Sequence, residues 1–184
     1  MVGRRSWRMG PESNFKWHSF LISSIMRSFL LSALFLLSLN LKAQEIPSTP
    51  VKNKWGISIP FSSLIKEDTI YIVSFWATWC TPCIKELREI SEVYPILQDS
   101  FRLKLIAVSV DDSRNSSKVF PKAVGEGWTY EVVSDQNQDL ARSMNVNNVP
   151  MIFIINRKKE IVYSHQGYSP AFLEEILSEL DKIR

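Results

Sequence analysis

The chain has 184 residues, 45% of them hydrophobic and 22% charged, a size for one domain and a composition for a packed one. These values exclude a wholly disordered chain and a multi-span membrane protein, and two cysteines are too few for a disulfide-stapled mini-protein or a four-cysteine zinc site. The formal charge is +3, yet residues 1–43 hold six of the 22 basic groups and one of the 19 acids, so residues 44–184 carry −2 and show no nucleic-acid footprint.

The first predicted element is a targeting segment. Phe29 to Leu39 is an uncharged run of eleven residues, about half of what a bilayer-spanning helix needs. Arg27 precedes it, and Leu41-Lys42-Ala43 follows as a small-residue exit. A charged start, a short apolar core and such an exit predict a secretory signal peptide, with Gln44 as the mature N-terminus. Met26-Arg27-Ser28 fits a conventional start, so translation is expected to begin at Met26; a long basic leader or an uncleaved anchor is the alternative. The expected division is a leader and signal peptide over residues 1–43, a linker over 44–54 and a folded domain over 55–184. Export places the cysteines in an oxidising compartment. The expected location is periplasmic, with a membrane tether if the apolar segment is retained.

Glu45 to Lys54, with Pro47 and Pro50, reads as a linker or an extended approach. Ile57 and Ile59 alternate with polar residues and predict a short strand, and Ser62 to Asp68 is a polar connection. Ile70 to Trp76 is almost continuously apolar and β-branched or aromatic, which predicts a strand buried on both faces. Thr81 to Gln98 has helical spacing, with Ile84, Leu87, Ile90 and Leu97 on one face; Pro82 suits its first turn and Pro95 is expected to kink or end it. Leu103 to Val110 is a second buried strand, closed by Asp111-Asp112 as the start of a loop. Ser116 to Val124 is a helix interrupted by Pro121, Tyr130 to Val133 a short strand, and Gln138 to Met144 a short helix. Met151 to Ile155 and Ile161 to Tyr163 form a hairpin about a turn at Asn156–Lys159. Ser169 is expected to cap a final helix with Pro170 at its first position. Alternating strands and helices predict an α/β layer fold with parallel pairs and one closing antiparallel hairpin.

The chemistry lies in Trp76-Ala77-Thr78-Trp79-Cys80-Thr81-Pro82-Cys83. Cys80 falls just before a helix N-terminus, where unpaired N–H groups and the helix dipole favour a thiolate. Cys83 is one turn further in. The first cysteine attacks a target disulfide and the second resolves the mixed disulfide. A structural disulfide is the bland alternative, but closing a four-residue ring contributes only about 2 kcal/mol. A metal site would need two more ligands, and His18 and His165 are the only histidines. No metal or other cofactor is expected, and His165 is assigned no catalytic role.

The string F-W-A-T-W-C-T-P-C at 75–83 resembles the active-site segment of the thioredoxin superfamily, and more closely that of TlpA/ResA-like thiol-disulfide oxidoreductases. Val149-Pro150 resembles the family's cis-proline loop, and Gly167 the glycine before its last helix. The resemblance implies a thioredoxin-like fold, a central mixed β-sheet flanked by helices. It implies that Trp79, Thr81, Pro82, Val149 and Pro150 meet the substrate; the bland reading of Pro150 is a trans proline at a strand start, and Trp76 could be groove or core. Cytosolic members carry a buried aspartate where this chain has Ser74, so Glu86, three residues after Cys83 and on its side of the helix, is the candidate for handling the Cys83 proton; otherwise it is a solvated acid like Glu89 and Glu92. Tyr168 either covers the last helix or is a plain surface aromatic. The implied activity is reduction of disulfides in exported proteins, apocytochrome c among the possible substrates, with a membrane electron donor of the DsbD/CcdA type. The same dithiol run as an oxidase or isomerase, and a binding module without turnover, are the alternatives.

Overall fold

The β-branched and aromatic residues from Ile70 to Trp76 form strand β3, and all seven are buried. No position of this strand faces water, so it belongs at the centre of a sheet covered on both sides. The computed structural model describes residues 45–184, and the expected leader, signal peptide and start at Met26 lie outside the described residues.

Seven strands make one mixed sheet in the order β2-β1-β5-β4-β3-β6-β7. In chain order they are β1 (Pro50–Lys52), β2 (Ser58–Pro60), β3, β4 (Leu103–Ser109), β5 (Glu131–Ser134), β6 (Met151–Ile155) and β7 (Ile161–Gln166). Strands β3, β4 and β5 run parallel, whereas β6 runs antiparallel to β3, and β7 antiparallel to β6. Parallel neighbours need a crossover. Helix α1 (Thr81–Phe101) makes the crossover from β3 to β4, and α2 (Val119–Gly125) makes the one from β4 to β5. Helix α3 (Asp139–Ser143) leads towards β6, and α4 (Phe172–Lys182) closes the chain.

Four expectations change. Residues 50–52, expected in a linker, are a strand: Val51 is buried, and β1 joins both β2 and β5. Pro95 does not end α1, which runs three residues past the expected Gln98. Proline removes one backbone donor, while the stripe of Ile90, Tyr94, Leu97 and Phe101 is buried on both sides of Pro95, and that burial outweighs a lost hydrogen bond. Ser169 caps nothing: α4 starts at Phe172 after Ala171, without a side-chain cap, and the Ser169 hydroxyl is buried with no partner. Pro121 does not interrupt the helix: the break falls before Val119, where a short 3-10 turn over Ser116–Lys118 gives way to α2, and Pro121 sits in the first turn of α2, where no intrahelical donor is lost.

The register places the functional end of the sheet. Phe75 pairs with Met151 in β6, and Trp76 pairs with Ser109 in β4. The chain leaving β3, the loop after β4 and the approach to β6 therefore emerge together at one edge.

Leu87 is fully buried on the sheet-facing side of α1, while Ile96 on the same helix is 67% exposed. Leu87→Ala should cost about 2–5 kcal/mol and Ile96→Ala about 0.5 or less in denaturant unfolding of the oxidised protein. Equal losses would mean that α1 docks through a different face.

Candidate active site

Cys80 is the N-cap of α1 and its sulfur takes the capping role: the Cys83 N–H points at Cys80 Sγ at 3.3 Å. The turn that delivers it is closed by the Cys80 N–H donating to the Ala77 carbonyl at 3.0 Å. Thr81 and Pro82 form the exposed first turn, where proline loses no intrahelical bond. Cys80 and Cys83 are joined in a disulfide with their Cα atoms 5.3 Å apart. Cys80 is the outer partner at 4% exposure and Cys83 is fully enclosed.

One turn past Cys83 on the same side of α1 is a carboxyl group. Glu86 is 1% exposed, so it is not a solvated helix acid. Its Oε1 accepts a hydrogen bond from the Ser74 hydroxyl at 3.2 Å, and Oε2 has no partner. Burial pushes its pKa up to about 8; the Ser74 bond pulls the other way, and the nearby Glu89 adds a smaller upward push. Burial disfavours the ionised form. Ser74, at the position the family's buried aspartate holds, thus serves as the partner of a carboxyl supplied by the helix.

The peptide bond Val149–Pro150 is cis. Pro150 directly precedes Met151, the partner of Phe75, which sets it level with the end of β3, and its carbonyl accepts the Gly167 N–H at 2.9 Å. Val149 and Trp79 line one groove of about 250 Å³ with Val110, Gln138, Val146 and Asn147. Trp79 is 65% exposed and presents apolar surface on the groove wall. Thr81, Pro82 and the buried Pro150 are not among the groove's walls. Trp76 is core: it is fully buried and meets Trp128 edge-on, ring centres 4.9 Å apart.

Two placements were open. Tyr168 covers α4 and also reaches α1, its ring 5.5 Å from Phe172 and its hydroxyl donating to Glu89 at 2.8 Å. His165 lies within β7 against Glu175, Nδ1 to Oε2 3.2 Å, paired with Ile152 of β6 and two strands away from β3.

One residue of the site was missed by the sequence reading. Asp111 is fully buried and binds Thr78, two residues before Cys80, through both its backbone N–H and its hydroxyl. In sequence it is one of two adjacent acids ending a strand. Nothing local separates it from Asp112, which is exposed and caps the next turn.

A conserved-domain match to the AhpC/TSA family covers residues 43–164. The chain belongs to the AhpC/TSA family. It is 30% identical over 89 residues to the thiol-disulfide oxidoreductase ResA of Geobacillus kaustophilus, 48% of this chain and 49% of ResA. The chain thus spans about half the length of the curated relatives it matches first. A thioredoxin-like protein from Porphyromonas gingivalis superposes with a TM-score of 0.69 at 39% identity, covering 77% of this chain and 93% of that one. StoA from Bacillus subtilis superposes at 0.57 with 27% identity over 72% and 95% of the two chains. The fold is thioredoxin-like, a mixed sheet flanked by helices, as the motif implied.

The buried carboxyl makes stability depend on pH. Its folded pKa, about 8, lies above the ordinary value of 4.5, so between these limits the folded state holds a proton that the unfolded chain has lost. Its contribution is complete below the ordinary carboxyl range and is lost as pH rises towards 8, at up to about 1.4 kcal/mol per pH unit. Unfolding of oxidised wild type and Glu86→Gln, compared from pH 5 to 8, should show a shallower decline in the variant. Parallel declines would mean that Glu86 ionises at an ordinary pH.

Proposed function

We propose that the protein is an exported thiol-disulfide oxidoreductase that reduces disulfides in other exported proteins. The observation that carries this reading is a disulfide at a helix N-terminus, its outer sulfur barely reaching solvent and its inner one enclosed, with a buried carboxyl that has an open oxygen one turn further along the helix. A staple would need no such asymmetry, and no proton acceptor.

In the reduced protein, Cys80 attacks as the thiolate favoured by the end of α1. Its sulfur bonds to one sulfur of the substrate disulfide, and the other leaves as a thiolate and takes a proton. Cys83 passes its proton towards the ionised Glu86 carboxylate, attacks Cys80 Sγ and expels the second substrate sulfur. Two electrons pass to the substrate, and the Cys80–Cys83 disulfide results. A raised carboxyl pKa brings Glu86 close to that of a thiol, which suits proton exchange near neutral pH. Trp79 and the Val149–Pro150 loop hold the substrate chain: proline offers no N–H to compete, so an extended segment pairs with the backbone of Val149.

Renewal of the dithiol requires an outside reductant. The resemblance to TlpA/ResA-like enzymes supports a membrane donor of the DsbD/CcdA type and apocytochrome c among the substrates. The uncharged run Phe29–Leu39 behind Arg27 supports export to the periplasm. The name borne by the ResA relative supports the reaction class.

With a disulfide-bonded peptide as substrate and excess dithiol as donor, wild type should turn over. Cys83→Ser should accumulate a mixed disulfide through Cys80, visible by mass and released by reductant, and Cys80→Ser should form none. A protein that turns nothing over, and whose Cys80→Ser/Cys83→Ser form binds the peptide as well as wild type, is a docking module.

A further inference from the structure

Asp111 follows β4 and is absent from the steps above. Its side chain is fully buried, and no cation pairs with it among the described residues. Its charge is met by neutral donors. Oδ2 accepts the Thr78 N–H at 2.8 Å and the Ser109 hydroxyl at 2.8 Å, and Oδ1 accepts the Thr78 hydroxyl at 2.6 Å. The Ser109 oxygen in turn accepts the Asp111 N–H at 3.1 Å. The neighbouring Val110 is tied on both sides: its N–H donates to the Trp76 carbonyl at 2.9 Å and its carbonyl accepts from Gln138 at 3.1 Å. Asp111 is therefore held to the ends of β3 and β4 and to the groove wall.

A buried carboxylate is costly and stands only where its hydrogen bonds are made. Ending a strand needs no such group. Two of the three bonds are spent on Thr78, inside the turn from Ala77 to Cys80. Among the described residues the side chain of Thr78 has no other hydrogen-bond partner, and the residue after it is the exposed Trp79 of the groove.

We propose that Asp111 is a positioning residue for the dithiol: through Thr78 it fixes the Ala77–Cys80 turn, and so sets where the Cys80 sulfur stands relative to α1 and to the groove. The inference rests on the exchange reaction proposed above. A reacting atom displaced by about 1 Å can cost about a hundredfold in rate, and a sulfur that leaves the helix N-terminus loses the field that favours its thiolate.

Three substitutions in the full chain test this. Asp111→Asn removes the charge and keeps the outline. Thr78→Val keeps the carboxylate and removes one donor. Thr78→Ser keeps that donor. For each reduced protein the measurements are single-turnover reduction of a disulfide-bonded peptide against peptide concentration, titration of the Cys80 thiolate by its ultraviolet absorbance, and denaturant stability. Asp111→Asn and Thr78→Val should both lower the rate at saturating peptide by about tenfold to a hundredfold, with half-saturation unchanged. Both should move the Cys80 titration up towards the ordinary thiol value of about 8.5, and Thr78→Ser should restore both readings. Variants that lose stability but keep wild-type rate and titration would show a purely structural role. An Asp111→Asn titration that moves down while Thr78→Val stays put would show a through-space charge and overturn positioning. If Asp111→Asn does not fold, Thr78→Val against Thr78→Ser decides alone. A wild type that never reduces the peptide overturns the exchange reading, and the positioning role with it.

Discussion

The N-terminus of α1 abuts the end of a strand that has no solvent-facing side, and most of the site's chemistry follows from that junction. Strand β3 is buried throughout, so a helix starting five residues after its end must put its first turn partly into the core. Cys83 and Glu86, three residues apart on one side of that helix, are enclosed as a result. The Glu86 carboxyl is thereby held in a setting that favours its neutral form, while Cys80, one turn outward, meets the unpaired N–H groups of the helix. The difference between attacking and resolving sulfur comes from depth along one helical turn.

The same junction explains why the site needs support from elsewhere in the chain. The turn between Trp76 and Cys80 has little secondary structure of its own. Its neighbours are the loop after β4 and the approach to β6, which the parallel and antiparallel pairing of β3 brings to the same edge. Asp111 comes from the first and the cis Val149–Pro150 bond from the second. Distant segments of the chain thus build one groove beside Trp79, the residue before Cys80.

Much of this was legible in the sequence because its signals are local. The unbroken apolar run of β3, the stripe along α1 and the two-residue spacing of the cysteines each carry their own physical meaning. The cis state of Val149–Pro150 was legible only through the motif it accompanies, since an isolated X–Pro bond is cis in only about 5–6% of cases. What escaped depends on contacts far apart in sequence. Strand β1 is three residues long and takes its identity from β2 and β5. Pro95 is a local breaker overruled by a buried stripe, and Ser169 is a local capping signal with no helix end to cap. Asp111 and Asp112 are chemically alike in the sequence; burial and the approach of Thr78 from 33 residues away separate them. Glu86 was open between two readings, because helical periodicity names a face but not its depth.

The central claim is that Cys80 and Cys83 are a working reductant rather than a staple or an oxidant. The direct measurement is the reduction potential of the pair, by equilibration in defined thiol buffers followed by alkylation and mass counting. A potential at or below about −250 mV is the result predicted for a reductase fed by a membrane donor. A potential near about −120 mV would mark an oxidant and contradict both the proposed direction and the proposed donor.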